Sequence, residues 1–281
     1  MRFVYFGTPQ FAHIILDELK EHGLIPSIIV TAPDKPKGRH LALTPSEVCI
    51  WGENEGVPVI KPVKIDEAFM MELQKESWDY FVVAAYGKIL PESLLSIPTH
   101  GTINVHPSLL PKFRGASPIE SVILSDEKET GVSIMLLDKE LDHGPLLAQQ
   151  TTPFSPWPPK GSLLTEHLAH TGGQLLAKTM KEHLAGNLNP VAQDHFKATF
   201  THKIKKTDGE IDPLGNAETL YKKIRAFDEW PGTYFFATKK NGEKARIVVK
   251  DASYTDGILT ILRVVPEGKK EMPYEDFLRG L

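Results

Sequence analysis

The chain has 281 residues, 41% hydrophobic and 24% charged, with a formal net charge of −4. That is enough apolar material for one sizeable core and a smaller second one, and it argues against a disordered chain. The weakly negative balance argues against a protein that grips nucleic acid over its whole surface. Residues 1–188 hold 16 Lys and Arg against 22 Asp and Glu, and residues 189–281 hold 16 against 14. A mildly basic C-terminal part therefore permits an RNA-facing surface without requiring one. The single cysteine, Cys49, has no partner for an internal disulfide, and Val48-Cys49-Ile50-Trp51 carries no nearby His to activate it. It reads as a small packing residue on a helix. The first residues form too short an apolar run for a signal peptide or a membrane span, so a cytoplasmic chain without membrane contact is expected.

Taken in order, Phe3–Phe6 is a short β-type run, followed by Gly7 and by Thr8-Pro9 as a helix cap with Pro at the first helical position. Phe11, Ile14, Ile15 and Leu19 recur at helical spacing. Strands are expected at Ile25–Thr31, Val57–Ile60, Tyr80–Ala85 and Thr102–His106, with helices at Pro45–Gly56 and Asp66–Lys75. Strand and helix alternating in this way predict a parallel sheet covered on both faces. Further strands are expected at Thr130–Leu137 and Leu146–Thr152, and a long amphipathic helix within Ser162–Leu184. The segment Asn187–Thr199 is polar and aperiodic, and the domain boundary is placed there. One more helix, Glu218–Phe227, precedes strands around Thr233–Thr238, Lys244–Ala252 and Ile258–Pro266. Asn241-Gly242 and Asp256-Gly257 between them are hairpin signals, so a small antiparallel barrel is expected. The fold class is thus α/β, a Rossmann-like, mostly parallel domain over 1–188, a linker over 189–205, and an OB-like β-barrel domain over 206–281.

The most informative stretch runs from Gly101 to Pro111. On a strand over Thr102–His106, Asn104 and His106 lie two apart and face one side. Pro107 cannot continue a sheet ladder, so both polar side chains sit at the carboxyl edge, where an open α/β sheet binds its ligands. Ser108-Leu109-Leu110-Pro111 follows, then Phe113-Arg114-Gly115-Ala116-Ser117-Pro118, and later Leu141-Asp142-His143-Gly144-Pro145. An attack on a carbonyl carbon needs fixed donors for the oxyanion, which an amide and a protonated imidazole supply, and a carboxylate that favours the charged imidazole and takes up a proton. Asp142 suits the last task because Gly144-Pro145 predicts a tight turn presenting it; Asp138 and Glu140 are nearby alternatives. Glu120 and His143 read as ordinary polar groups. No Cys/His spacing suggests zinc, so catalysis without metal is expected.

These segments together resemble the folate-dependent formyltransferase family. The resemblance implies that Asn104, His106 and Asp142 are the catalytic trio, that Ser108, Leu109, Leu110 and Pro111 belong to the folate site, and that the donor is 10-formyltetrahydrofolate. Phe6-Gly7-Thr8-Pro9, Pro33-Asp34-Lys35-Pro36-Lys37-Gly38-Arg39, Ala85-Tyr86-Gly87-Lys88-Ile89-Leu90-Pro91, Arg225-Ala226-Phe227 with Trp230-Pro231-Gly232, and Pro266-Glu267-Gly268-Lys269-Lys270 resemble the branch that acts on tRNA. That likeness implies methionyl-initiator tRNA as acceptor. It also implies that the basic loop Asp34–Thr44 meets acceptor-stem phosphates through Lys35, Lys37 and Arg39. His40-Leu41-Ala42 and Cys49 stand where that branch is usually more basic, which predicts a shallower salt dependence. Lys203, Lys205, Lys206, Lys239, Lys240, Lys269 and Lys270 are candidates for a second, sequence-independent RNA surface, or equally protect exposed strand edges from pairing. Gly7-Thr8-Pro9 is not a dinucleotide fingerprint. The Pro-rich stretch 153–161 departs from the pattern and has no functional reading. A sugar-nucleotide formyltransferase shares the trio; a folate hydrolase and a non-catalytic RNA-binding module are the other rivals. A monomer is expected.

Overall fold

A computed structural model describes residues 1–37, 42–238 and 242–280. The elements in chain order are β1 (Phe3–Gly7), α1 (Gln10–Glu21), β2 (Ile28–Val30), β3 (Lys35–Lys37), β4 (Ala42–Thr44), α2 (Glu47–Glu55), β5 (Val59–Ile60), α3 (Glu67–Leu73), β6 (Tyr80–Ala84), α4 (Glu92–Leu95) and β7 (Thr102–His106). They are followed by α5 (Pro118–Leu124), β8 (Thr130–Leu136), β9 (Leu146–Thr152), α6 (Gly161–Leu184), α7 (Ala217–Ala226), β10 (Thr233–Thr238), β11 (Lys244–Thr255), β12 (Ile258–Pro266), β13 (Met272–Pro273) and α8 (Tyr274–Arg279). The chain divides into two compact units. The first holds Met1–Arg114, Gly131–Thr152 and Glu166–Phe200; the second holds Gly115–Thr130, Pro153–Thr165 and Thr201–Leu281.

The first unit is built on a seven-stranded sheet of order β5-β2-β1-β6-β7-β8-β9. Strands β5, β2, β1, β6 and β7 are parallel neighbours, and β8 runs antiparallel to β7. β1, β6 and β7 are buried at every residue, which is why each of the first two reads as an unbroken apolar run. Val4, Phe6, Val30, Phe81 and Val83 pack with Leu73, Trp78, Tyr86 and Leu94 in one core cluster. On α6, a Cβ at Gly172 would lie 2.8 Å from Val105 Cγ1, so only glycine lets the helix backbone come this close to β7.

Several local expectations need correction. Pro9, not Thr8, is the N-cap of α1, and its ring has no group to make a side-chain cap bond; the Thr8 hydroxyl is turned toward the Ala32 amide and the Tyr86 carbonyl. The second strand is trimmed to Ile28–Val30, since Pro26 lacks the amide a ladder needs. The basic segment read as a loop carries an antiparallel β3–β4 ladder, Lys35 opposite Thr44 and Lys37 opposite Ala42. α2 follows the expectation closely: Ser46 accepts the Cys49 amide hydrogen and Gly56 closes the helix at φ 68°.

The second unit carries a four-stranded antiparallel sheet of order β10-β11-β12-β13. Where a barrel is expected, the described residues form this open sheet and no closed barrel. Asp256 and Gly257, both at positive φ (52° and 81°), make the two-residue turn between β11 and β12. α7 begins at Asn216, whose side chain accepts the Thr219 amide hydrogen, and lays Leu220 and Ile224 against Ile247, Val249 and Val264 of the sheet. Ile247 is fully buried at the centre of that cluster. Ile247→Ala is expected to cost about 2–5 kcal/mol of stability, read as a lowered denaturant midpoint; a loss under about 0.5 kcal/mol, the range of surface substitutions, contradicts this core.

Candidate active site

β7 carries two alternating sets of side chains. Ile103 and Val105 form one set, and Thr102, Asn104 and His106 the other. The sheet partners hold this register: Asn104 lies between Val83 of β6 and Met135 of β8, and His106 opposite Ser133. Burying an amide and an imidazole in the middle of a sheet is unfavourable unless each is used. Asn104 is 9% exposed and His106 4%, so both are sequestered at the carboxyl end of the strand, next to the edge at which Pro107 stops it.

The imidazole is held at one nitrogen and faces a carboxylate with the other. Nε2 lies 2.9 Å from the Phe113 carbonyl oxygen, and a carbonyl only accepts, so Nε2 carries the hydrogen. Nδ1 then faces the Asp142 carboxylate, 3.7 Å from Oδ2. That separation is beyond a hydrogen bond but leaves the carboxylate directly beside the ring. Asp142 itself is 8% exposed and has φ 47°, a left-handed conformation that Asp tolerates better than most residues. Of the two alternatives, Asp138 instead pairs with His143 Nδ1 at 2.7 Å, and Glu140 lies 3.9 Å from His143 Nε2. His106 and Asp142 are therefore brought together, with Asn104 on the same face of β7 as His106.

The loop after β7 is tied to itself and to β8 and β9. Ser108 Oγ donates to the Lys112 carbonyl, Ser133 Oγ donates to the Ser108 carbonyl, and the Leu110 amide donates to Ser133 Oγ. Gln149 Nε2 donates to both the Leu110 carbonyl and Ser133 Oγ. Ser108 and Leu110 are buried, whereas Leu109 and Pro111 are partly exposed, so the first two shape the loop and the second two offer it outward.

Residues 1–180 match the family model described as formyl transferase, and residues 203–257 match that of the formyl transferase C-terminal domain. The chain belongs to the formyl transferase family. It is 39% identical over 302 residues to a protein named methionyl-tRNA formyltransferase from Thermus thermophilus, covering 100% of this chain and 96% of that one. It is 40% identical over 301 residues to one of the same name from Halalkalibacterium halodurans, covering 100% and 95%. Two solved structures share the fold. A sugar N-formyltransferase from a Shewanella species is 18% identical with a TM-score of 0.63, covering 87% of this chain and 95% of that one. HypX from Aquifex aeolicus in complex with tetrahydrofolic acid is 15% identical with a TM-score of 0.68, covering 99% and 47%.

In this member of the formyl transferase family the other sequence expectations are placed as follows. Lys35 is exposed at the start of the β3–β4 ladder and Lys37 ends β3; Arg39 lies outside the described residues, as do Lys239 and Lys240. Cys49 is buried, and burial pushes its thiol up, which suits packing rather than nucleophilic work. Glu120 is pushed up by burial and by the Asp228 charge. No helix among the described residues is long and apolar enough to cross a membrane.

The residues that sequence reasoning missed lie around the Asp142 turn. Gln193 comes from the aperiodic stretch near the proposed boundary, and its Nε2 donates to the Asp142 carbonyl at 3.0 Å and the Gly144 carbonyl at 2.8 Å. Arg114, 3% exposed, donates to Gln193 Oε1 from Nε and Nη2 and to His195 Nδ1 from Nη2. His195 stacks on His143 with ring centroids 4.0 Å apart and an interplanar angle of 4°. Gln193 had no local signal, since its partners are 49 to 79 residues away.

Proposed function

We propose that this chain transfers a formyl group from 10-formyltetrahydrofolate to the α-amino group of methionyl-initiator tRNA, with Asn104, His106 and Asp142 at the reacting centre. The observation that carries the chemistry is the buried imidazole whose Nδ1 faces a carboxylate at 3.7 Å beside an amide on the same strand face. The acyl acceptor is read from full-length relatives that share the name methionyl-tRNA formyltransferase at 39–40% identity.

The amine nitrogen attacks the formyl carbon, and the carbonyl electrons move to oxygen. The Asn104 amide and a protonated His106 Nδ1 are the donors for that oxyanion, each such donor being worth about 10²–10³ in rate. Asp142 stabilises the imidazolium and, directly or through water, takes the proton the amine sheds. When the tetrahedral intermediate collapses, the bond to the folate nitrogen breaks and that nitrogen takes up the proton held by Asp142, directly or through water, leaving tetrahydrofolate and the N-formylated acceptor. The loop Ser108–Pro111 is our choice for holding the folate, supported by its position directly after His106 and by the partial exposure of Leu109 and Pro111. Lys35, Lys37 and Arg39 are our choice for phosphate contacts, supported by their closeness in the sequence and by the exposure of Lys35. We also read residues 206–281 as an OB-like domain, which the extra parallel bridge of Glu210 to Tyr234 beside β10 supports. A cytoplasmic setting goes with this reading.

Formyl transfer assayed with charged initiator tRNA and with amino-sugar nucleotides tests the proposal. Transfer to the tRNA is expected; activity on the sugar alone overturns it. Formate release without an amine points to the hydrolase rival, and RNA binding without turnover to the non-catalytic one.

A further inference from the structure

Asp142 sits in the turn between β8 and β9 at a positive φ, and its carboxylate must stay at a set distance from His106. Three observations show what holds it. Gln193, 5% exposed, bridges the carbonyls of Asp142 and Gly144 through one amide nitrogen. A guanidinium has donors only, so the Gln193 atom facing Arg114 is the oxygen, and the nitrogen is thereby directed at the turn. Finally, Arg114 follows Phe113, whose carbonyl accepts the His106 Nε2 hydrogen. Two consecutive residues thus hold both halves of the pair, one by its backbone on the imidazole and one through Gln193 on the carboxylate's turn.

We propose that Gln193, oriented by Arg114, is a positioning residue that sets the distance between Asp142 and His106. This rests on the formyl-transfer reading above. The titratable groups around the turn, Asp138, His143 and His195, are engaged with one another or with Arg114, so the bridge from Gln193 is the neutral contact that grips the backbone on either side of His143. A displacement on the order of 1 Å in a reacting group costs about 10²-fold in rate, whereas a residue that meets neither substrate leaves binding alone.

The test is Gln193→Glu, which keeps a partner for Arg114 and removes both donors, with Gln193→Met as a volume-matched variant should the first not fold. Turnover is expected to fall at least about tenfold with both KM values within about twofold. Because Gln193 acts through Asp142, Gln193→Glu added to Asp142→Asn is expected to slow turnover no further, within about twofold; multiplying losses would instead mark a general structural role. Turnover near the parent's, a loss confined to KM, or multiplying losses each overturn the proposal. In the unsubstituted protein the Gln193 side-chain amide hydrogens are expected to be protected from solvent exchange, and free exchange overturns the proposal too. An enzyme inactive on every amine sinks the formyl-transfer reading but leaves that exchange measurement to decide the hold on the turn.

Discussion

His106→Ala is expected to lower turnover by at least about 10²-fold while the protein still folds, and Asn104→Ala to do the same. Each substitution removes a buried polar side chain whose surroundings are set by other parts of the sheet. β7 keeps its ladder to β6 and β8 through backbone groups, so neither side chain is needed to hold the strand. In His106→Ala the Phe113 carbonyl loses its donor, an expense of about 1–3 kcal/mol at most if water does not replace it. Thermal unfolding is therefore expected to shift modestly while the rate collapses. Single-turnover formyl transfer beside a calorimetric scan measures both. Near-normal rates in the two variants contradict the roles assigned to them, and unfolding of both would mean that these polar groups serve the core.

The second large effect is expected at Gly144. A Cβ placed there lies 1.9 Å from the Leu136 carbonyl oxygen and 3.0 Å from its carbon. This is backbone of β8, which no side-chain rotamer relieves. The same end of the strand donates its Leu136 amide hydrogen to the Pro145 carbonyl, so the turn from Asp138 to Gly144 is closed tightly against the sheet. Gly144→Ala forces the turn outward and carries Asp142 with it. Overpacking of this kind costs about 1–3 kcal/mol in stability, and the displaced carboxylate about 10² in turnover. Parallel measurement of the unfolding midpoint and of turnover with saturating substrates checks this, and a variant as fast as the parent shows that the turn's position is not critical.

The parallel sheet was legible because strands buried on both faces leave an uninterrupted apolar signature, as in Phe3–Phe6 and Tyr80–Ala84. Caps and turns were legible where the chemistry is local: Ser46 and Gly56 around α2, and Asp256-Gly257 between β11 and β12. Thr8 misled because its hydroxyl answers to Ala32 and Tyr86, partners far along the chain. β3–β4 was hidden by its composition, since three-residue strands containing Pro36 and two lysines have no alternation to read. α5 has Ile119, Val122 and Ile123 at helical spacing behind Ser117-Pro118, yet Phe113–Pro118 draws attention as a motif rather than as the lead-in to a helix. Within the site, Asn104 and His106 were legible from the strand period and the following proline. Asp142 was reached through a turn signal and a family likeness. Gln193 and the orientation of Arg114 were not legible, because a hydrogen bond spanning dozens of residues leaves no mark on either neighbourhood.

The Phe113 carbonyl has one more effect on the imidazole it holds. A ring with one nitrogen pinned to the backbone cannot act as a conduit, accepting a hydrogen ion at one edge and releasing it from the opposite one. Everything His106 exchanges must enter and leave by the same doorway, the side shared with Asp142. Under the proposed mechanism, the return of the amine's hydrogen ion to the departing folate nitrogen thus falls to the carboxylate and whatever water reaches it, not to a passage through the ring.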